Sequence, residues 1–133
     1  VGIDVERERD LDGFEQLVKT ICSPRQAAEF MALRSGDQTG AFYRLWTRKE
    51  AWLKATGNGI ATSLEQVEPS FRPGETARYQ SLPGGFSASV NKWSLFDFIP
   101  KPGFIAAVAL DGEVQRLALK TWMEQGTAEV AYA

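Results

Sequence analysis

The chain has 133 residues, 44% hydrophobic and 24% charged, with 15 basic side chains against 17 acidic ones. That length suits one domain burying roughly two-thirds of its unfolded surface, and the apolar content argues against a disordered tail. A formal net charge of −2 argues against a basic nucleic-acid module, the single cysteine (Cys22) excludes an internal disulfide, and the absence of histidine removes His-dependent triads and His-ligated metals.

In chain order, Val1-Gly2-Ile3-Asp4-Val5-Glu6 alternates with a period of two and reads as a strand. Val1, Ile3 and Val5 share one face, and Asp4 and Glu6 share the other. Arg7–Asp10 is a charged loop, and Leu11–Thr20 has the pattern of a short helix. Ser23-Pro24 is a helix entry, with Ser23 as N-cap and Pro24 in the first turn, of a helix running to about Leu33 and ending in Ser35-Gly36-Asp37. Thr39 would cap the strongest helix, Gly40–Ala55, which Gly57 terminates.

From there the pattern turns to strands: Val67–Phe71, Ala77–Leu82, Phe86–Val90, Trp93–Ile99 and Phe104–Leu110, with Val114–Trp122 as a closing strand. Pro73-Gly74, Pro83-Gly84 and Pro102-Gly103 separate them as turns. Helices followed by an antiparallel meander predict an α+β fold. Residues 1–123 form one domain in this reading, and 124–133 a loose tail.

No apolar run approaches the roughly 18 residues of a membrane span. The start shows neither an initiator Met nor a basic leader, so no signal peptide is visible and a cytoplasmic location is expected. A first residue inside an apparent strand suggests an excised, processed or upstream-truncated chain.

Two segments carry chemistry. Asp4 and Glu6 lie on one strand face about 7 Å apart and repel each other unless a cation sits between them. A hard divalent ion such as Mg²⁺ suits such a pair, whereas a solvent-facing strand with two surface acids is the ordinary alternative. The second segment is Trp46-Thr47-Arg48-Lys49-Glu50-Ala51-Trp52-Leu53-Lys54. Helical spacing puts Phe42, Trp46 and Leu53 on a spine, with Glu50 and Lys54 on one flank and Lys49 on the other. Either this is a core helix with a Glu–Lys i,i+4 pair, or a third carboxylate meets a metal while the lysines meet phosphate oxygens.

Together, Val-Gly-Ile-Asp-Val-Glu and Phe-Tyr-Arg-Leu-Trp-Thr-Arg-Lys-Glu-Ala-Trp-Leu-Lys-Ala-Thr-Gly resemble the signature pair of the 4'-phosphopantetheinyl transferase superfamily. The patterns are a (V/I)-G-(I/V)-D-x-E strand and a W-x-x-K-E-A-x-x-K helix. The Trp before Lys-Glu-Ala is more similar to the Sfp-type enzymes than to the short holo-acyl-carrier-protein synthases. The resemblance covers residues 1–60, and the β-rich half shares only its general character.

The resemblance implies helices packed on a small antiparallel sheet and Mg²⁺-dependent transfer of phosphopantetheine from coenzyme A to a serine of an acyl or peptidyl carrier protein. It also implies Asp4, Glu6 and Glu50 as metal ligands, and Lys54 and Lys49 as groups that bind phosphate oxygens. Lys54 would also balance charge on the leaving 3',5'-ADP. With no histidine, the base would be Glu50 or a metal-activated water. Trp46 would orient the helix by packing, and Gly57-Asn58-Gly59 would end it either near the coenzyme or simply as a helix stop.

The chain departs from the family in two respects. Where the family's F-S-x-x-E segment supplies another acid, Gln26 stands here and Glu29 is the next carboxylate. The Sfp-type enzymes also have two similar halves with the coenzyme between them, and this chain matches the second. Self-association or pairing with a missing N-terminal half is therefore expected, and no membrane or nucleic-acid partner. Arg7, Arg9, Arg25, Arg34, Arg44 and Arg48 either form a docking face for an acidic carrier protein or, the ordinary alternative, are scattered solvated arginines. A non-catalytic interaction or scaffold domain with the same fold is the competing reading. Some other Mg²⁺-dependent phosphotransfer enzyme is a third, though no P-loop motif is present.

Overall fold

The structure, a computed structural model, describes residues 1–57, 64–120 and 130–132. Strand β1 (Gly2–Arg7) is followed by helices α1 (Phe14–Ile21), α2 (Pro24–Met31) and α3 (Ser35–Thr56). A short β2 (Glu68–Pro69) pairs with β3 (Tyr79–Ser81), and β4 (Trp93–Phe98) and β5 (Phe104–Asp111) form a hairpin. Strands β6 (Ala118–Lys120) and β7 (Val130–Tyr132) pair with each other. The arrangement is α+β, with the helices packed on small antiparallel sheets.

The central sheet runs β1–β5–β4, antiparallel throughout, so the N-terminal strand lies beside the late hairpin rather than at the start of a simple meander. The register sets Asp4 opposite Ala107 and Glu6 opposite Ile105. Helix α3, 22 residues or about 33 Å long, crosses the inner face of this sheet. Close approach is possible because the contact is built from small residues: Ala51, Ala107 and Ala109 are each fully buried. Gly2 shows how tight it is. A Cβ at Gly2 would fall 1.9 Å from the Ala51 carbonyl oxygen and 2.4 Å from the Ala55 nitrogen.

Two apolar clusters flank this contact. One joins α1, α2 and the first half of α3 through Val18, Phe30, Phe42 and Leu45. The other surrounds Trp52 with Val67, Tyr79, Leu95 and Ala109. Truncating a fully buried aromatic such as Trp52 costs about 3–5 kcal/mol. Arg48, 1% exposed, ties α3 to the β-rich half: Nη1 donates to the Ser70 carbonyl and Nη2 pairs with Asp97 at 3.1 Å. A buried guanidinium committed to these partners cannot belong to a surface docking face. Arg44 is also drawn inward, with Nε donating to the Phe71 carbonyl.

Several boundaries differ from the sequence expectation. Helix α2 does start at Ser23, whose Oγ accepts from the Gln26 backbone N–H, but it stops at Met31. Residues Ser35, Gly36 and Asp37 open α3 instead of closing α2. Asp37 in the first turn favours that start through the helix dipole. Gly57, at φ 69°, ends α3 in the left-handed conformation that glycine adopts without steric cost. Phe86–Val90 is no strand. It lies in a 3₁₀ stretch, Gly84–Lys92, where Phe86 meets Trp52 edge-on at 5.1 Å. Of the closing strand expected at 114–122, residues 118–120 are extended, and 121–122 lie outside the described residues. Of the tail, 124–129 and 133 also lie outside them.

Candidate active site at the contact of strand β1 and helix α3

The acids of β1 face the helix. Asp4 is 4% exposed, whereas Val1, Ile3 and Val5 are 74%, 51% and 48% exposed on the opposite side. This inverts the ordinary expectation for an alternating strand, in which the apolar face is buried. Gly2 is the local cause: without a side chain at residue 2 the strand settles onto Ala51 and Ala55, and Asp4 and Glu6 follow on the same face.

Strand and helix run antiparallel, so residues pair along their length. Lys54 Nζ is 2.7 Å from Asp4 Oδ1, and Trp46 Nε1 donates to Glu6 Oε1 at 3.1 Å. Beyond Glu6, the Arg9 backbone N–H donates to the Tyr43 hydroxyl at 3.1 Å. Glu50 stands one turn before Lys54 and feels both strand carboxylates. Burial pushes its carboxyl above the ordinary range, Asp4 and Glu6 push it further, and Lys54 opposes them. The hydrogen bond to Asp4 is in turn the main reason that Lys54 is held above the usual lysine range.

Asp4, Glu6, Glu50 and Lys54 are therefore gathered on one contact. Lys49 is not with them. It is fully buried on another side of α3, with Nζ donating to the Leu64 and Val67 carbonyl oxygens. Burial lowers its pKa to about 8, against the opposing influence of Cys22, Glu68 and Glu65. Gln26 is also buried and donates to the Pro69 carbonyl, while Glu29 pairs with Arg25 and Arg72. Neither is engaged with the acid cluster. Asn58 and Gly59 lie outside the described residues. The Trp46 hydrogen bond was not foreseen; the signal for it was the i,i+4 spacing of Trp46 and Glu50 on the face that meets β1.

Among the described residues, no three carboxylates stand ready as a metal cage. Lys54 pairs with Asp4 Oδ1, and Trp46 Nε1 donates to Glu6 Oε1. The donor set nevertheless suits a hard cation. Asp4 Oδ2 is buried without any hydrogen-bond partner, and an acceptor left in that state costs about 1–3 kcal/mol. An oxygen ligand set with one orphaned carboxylate oxygen fits Mg²⁺, which takes a few carboxylates together with waters and phosphate oxygens. Beside Glu6, an open cavity of about 330 Å³ is lined by Leu11, Leu17, Phe42, Tyr43 and Trp46.

Comparison with known proteins identifies the family. The family model described as the 4'-phosphopantetheinyl transferase superfamily matches residues 1–109, which include every member of the acid–lysine cluster. The chain is 38% identical over 112 residues to the 4'-phosphopantetheinyl transferase HetI of Nostoc sp., a match covering 84% of this chain and 44% of that protein. It is 42% identical over 68 residues to the transferase AcpT of Salmonella typhimurium, covering 51% of this chain and 35% of the relative. It is 29% identical over 65 residues to Sfp of Bacillus subtilis, covering 49% and 28%. The chain thus spans less than half the length of these relatives. With its signature strand and helix in contact and matched by the family model, the chain belongs to the 4'-phosphopantetheinyl transferase superfamily.

Proposed function

We propose that this chain supplies the metal- and phosphate-binding face of an enzyme that moves the 4'-phosphopantetheine arm of coenzyme A to a serine of an acyl or peptidyl carrier protein. The observation that carries the reading is the gathering of Asp4, Glu6, Glu50 and Lys54 on one contact, with one Asp4 oxygen buried and unpaired. In the transfer the serine oxygen bonds to phosphorus, the anhydride P–O bond breaks and 3',5'-ADP leaves.

Asp4, Glu6 and Glu50 would hold Mg²⁺, which when bound neutralises charge on the pyrophosphate. The serine must lose a proton as its oxygen bonds to phosphorus. With no histidine in the chain, Glu50 or a water on the metal would take the proton, and general bases contribute roughly 10²–10⁴-fold. Lys54 is half-exposed on a flexible stem, so it can leave Asp4 for a phosphate oxygen of the departing nucleotide. Lys49, buried against carbonyls, supports the reaction only by anchoring α3. Trp46 holds Glu6 toward the contact. A second half completes the nucleotide cleft, and the cytoplasm is the compartment proposed.

The test is to incubate the chain with coenzyme A, Mg²⁺ and an apo carrier protein and to weigh the carrier by mass spectrometry. A gain of one phosphopantetheine arm, lost in Glu50→Ala, supports the reading. No gain from a folded chain with several carriers overturns transfer by this chain alone.

A further inference from the structure

Three side-chain contacts tie the N-terminal strand to α3 in series: Lys54 to Asp4, Trp46 to Glu6 and Tyr43 to Arg9. The third lies beyond the end of the sheet. Strand β1 pairs with β5 from Gly2 to Arg7, and the Glu8 backbone N–H still reaches the Gly103 carbonyl at 2.8 Å. Among the described residues Arg9 has no such sheet partner, and its backbone polar groups are met by a side chain instead. The Tyr43 hydroxyl accepts from the Arg9 N–H at 3.1 Å and donates back, more weakly, to the Arg9 carbonyl at 3.4 Å. The Tyr43 ring is buried and meets Phe42 edge-on at 5.3 Å, so the hydroxyl stands at a fixed point on α3.

The spacing of these contacts decides what the third one does. From Tyr43 to Lys54 the helix advances about 16.5 Å, and from Arg9 to Asp4 the chain covers about the same length at the rise of a strand. The strand is therefore held at both ends of its contact with the helix, but the two ends are not equivalent. Lys54 is half-exposed on a flexible stem and can follow a strand that slides. Tyr43 cannot: it has two side-chain angles, a buried ring and two bonds to one residue. Trp46 offers Glu6 a single N–H. A slide of about 1 Å would carry Asp4 and Glu6 past Glu50 by more than the roughly 0.2 Å that metal–ligand distances tolerate.

We propose that Tyr43 is a positioning residue for the carboxylate cluster. Its hydroxyl fixes where the chain leaving β1 stops along α3, and thereby sets Glu6 against Trp46 and Glu50. Tyr43 acts through Glu6 and touches no reacting group. The proposal rests on the metal-site reading above for its effect on metal affinity, whereas its effect on Glu6 holds without a metal.

The test compares Tyr43→Phe, which keeps the ring and removes the hydroxyl, with Tyr79→Phe, which removes a buried hydroxyl bonded instead to the Arg48 carbonyl. Hydrogen exchange followed by NMR on the metal-free chain reads the Arg9 amide and the Trp46 indole N–H, with the β1–β5 ladder amides as the check of folding. In Tyr43→Phe the Arg9 amide should exchange about tenfold faster and the Trp46 indole about fivefold faster, one hydrogen bond being lost and the other loosened. The ladder keeps its protection, and Tyr79→Phe changes neither signal. Mn²⁺ affinity, read by electron paramagnetic resonance, should fall about tenfold in Tyr43→Phe alone. Unchanged exchange at Trp46 would overturn the proposal even with a faster Arg9 amide, because the hydroxyl would then tie down only the loop. Equal effects from Tyr79→Phe, or loss of ladder protection in Tyr43→Phe, would overturn it by making the change a general loosening. Mn²⁺ affinity equal in Tyr43→Phe and the unsubstituted chain would overturn it as well. Mn²⁺ binding absent from the unsubstituted chain, with both exchange effects present, would overturn the metal reading and support the positioning of Glu6.

Discussion

Lys54 Nζ stands 2.7 Å from Asp4 Oδ1, so a half-exposed ammonium neutralises a carboxylate sealed between β1 and α3. The pair joins α3 to β1, and the same lysine is the group proposed to meet a phosphate. Its exposure sets its energetic scale. Breaking a fully buried pair costs about 3–5 kcal/mol and an exposed one less than about 1, so the intermediate case falls near 1–2.

Lys54→Met is accordingly expected to lower stability by about 1–2 kcal/mol in urea unfolding without divalent ions. The pair holds the amine above the ordinary lysine range, so its contribution is complete at neutral pH and is lost as pH rises through that elevated value. Added Mg²⁺ should raise the melting temperature of the variant more than that of the unsubstituted chain, because no ammonium competes for Asp4. An equal Mg²⁺ effect in the two proteins would contradict this competition.

Lys49 gives a pH prediction of the opposite sign. Burial lowers its pKa from 10.5 to about 8, so between those values the unfolded chain binds the proton more tightly than the folded one. Stability attributable to Lys49 therefore rises with pH across that window. Relative to Lys49→Met, the unsubstituted chain should gain up to about 3 kcal/mol between pH 7.5 and 10.5. Paired denaturation curves check this, and a constant difference would mean that the amine is not buried as described.

Trp46→Phe keeps an aromatic ring on α3 and removes only the N–H that Glu6 accepts. Partners that orient a metal ligand typically account for about 10–100-fold in affinity. Mn²⁺ binding followed by electron paramagnetic resonance should weaken by about tenfold or more while thermal stability changes little. Unchanged Mn²⁺ affinity would show that Glu6 needs no such support.

Gly2→Ala would drive a methyl group into the Ala51 carbonyl and Ala55 nitrogen, which are backbone atoms that cannot rotate away. Overpacking of this kind costs about 1–3 kcal/mol. The strand must also lift from the helix, so the substitution should weaken Mn²⁺ binding although residue 2 bears no ligand. Urea unfolding and metal titration on one sample check both effects.

The parts of the site legible in the sequence are those set by local geometry. A strand's period of two places Asp4 and Glu6 together, and a helix's i,i+4 step places Glu50 beside Lys54. The direction of the strand face was not legible, because it depends on Gly2 packing against Ala51, which is far away in sequence. Lys49 illustrates the same limit. One residue from Glu50, it is turned by 100° toward the Leu64 and Val67 carbonyls, and only the tertiary fold brings those there. The fold class followed from the order of helices and strands. The strand expected at 86–90 failed because a hydrophobic alternation starting after Pro83 found a ring of Trp52 to pack on, not a strand partner. Arg48 gave no sign of being buried, since its partners Ser70 and Asp97 lie on separate later strands or turns.

The central claim is that Asp4, Glu6 and Glu50 act as one divalent-metal site. Titration of the folded chain with Mn²⁺, read by electron paramagnetic resonance and competed with Mg²⁺, tests it most directly. One saturable site, lost in Asp4→Asn and in Glu50→Gln but kept in Glu29→Gln, is the predicted result. Binding that is absent from the unsubstituted chain, or equal in all four proteins, would contradict it.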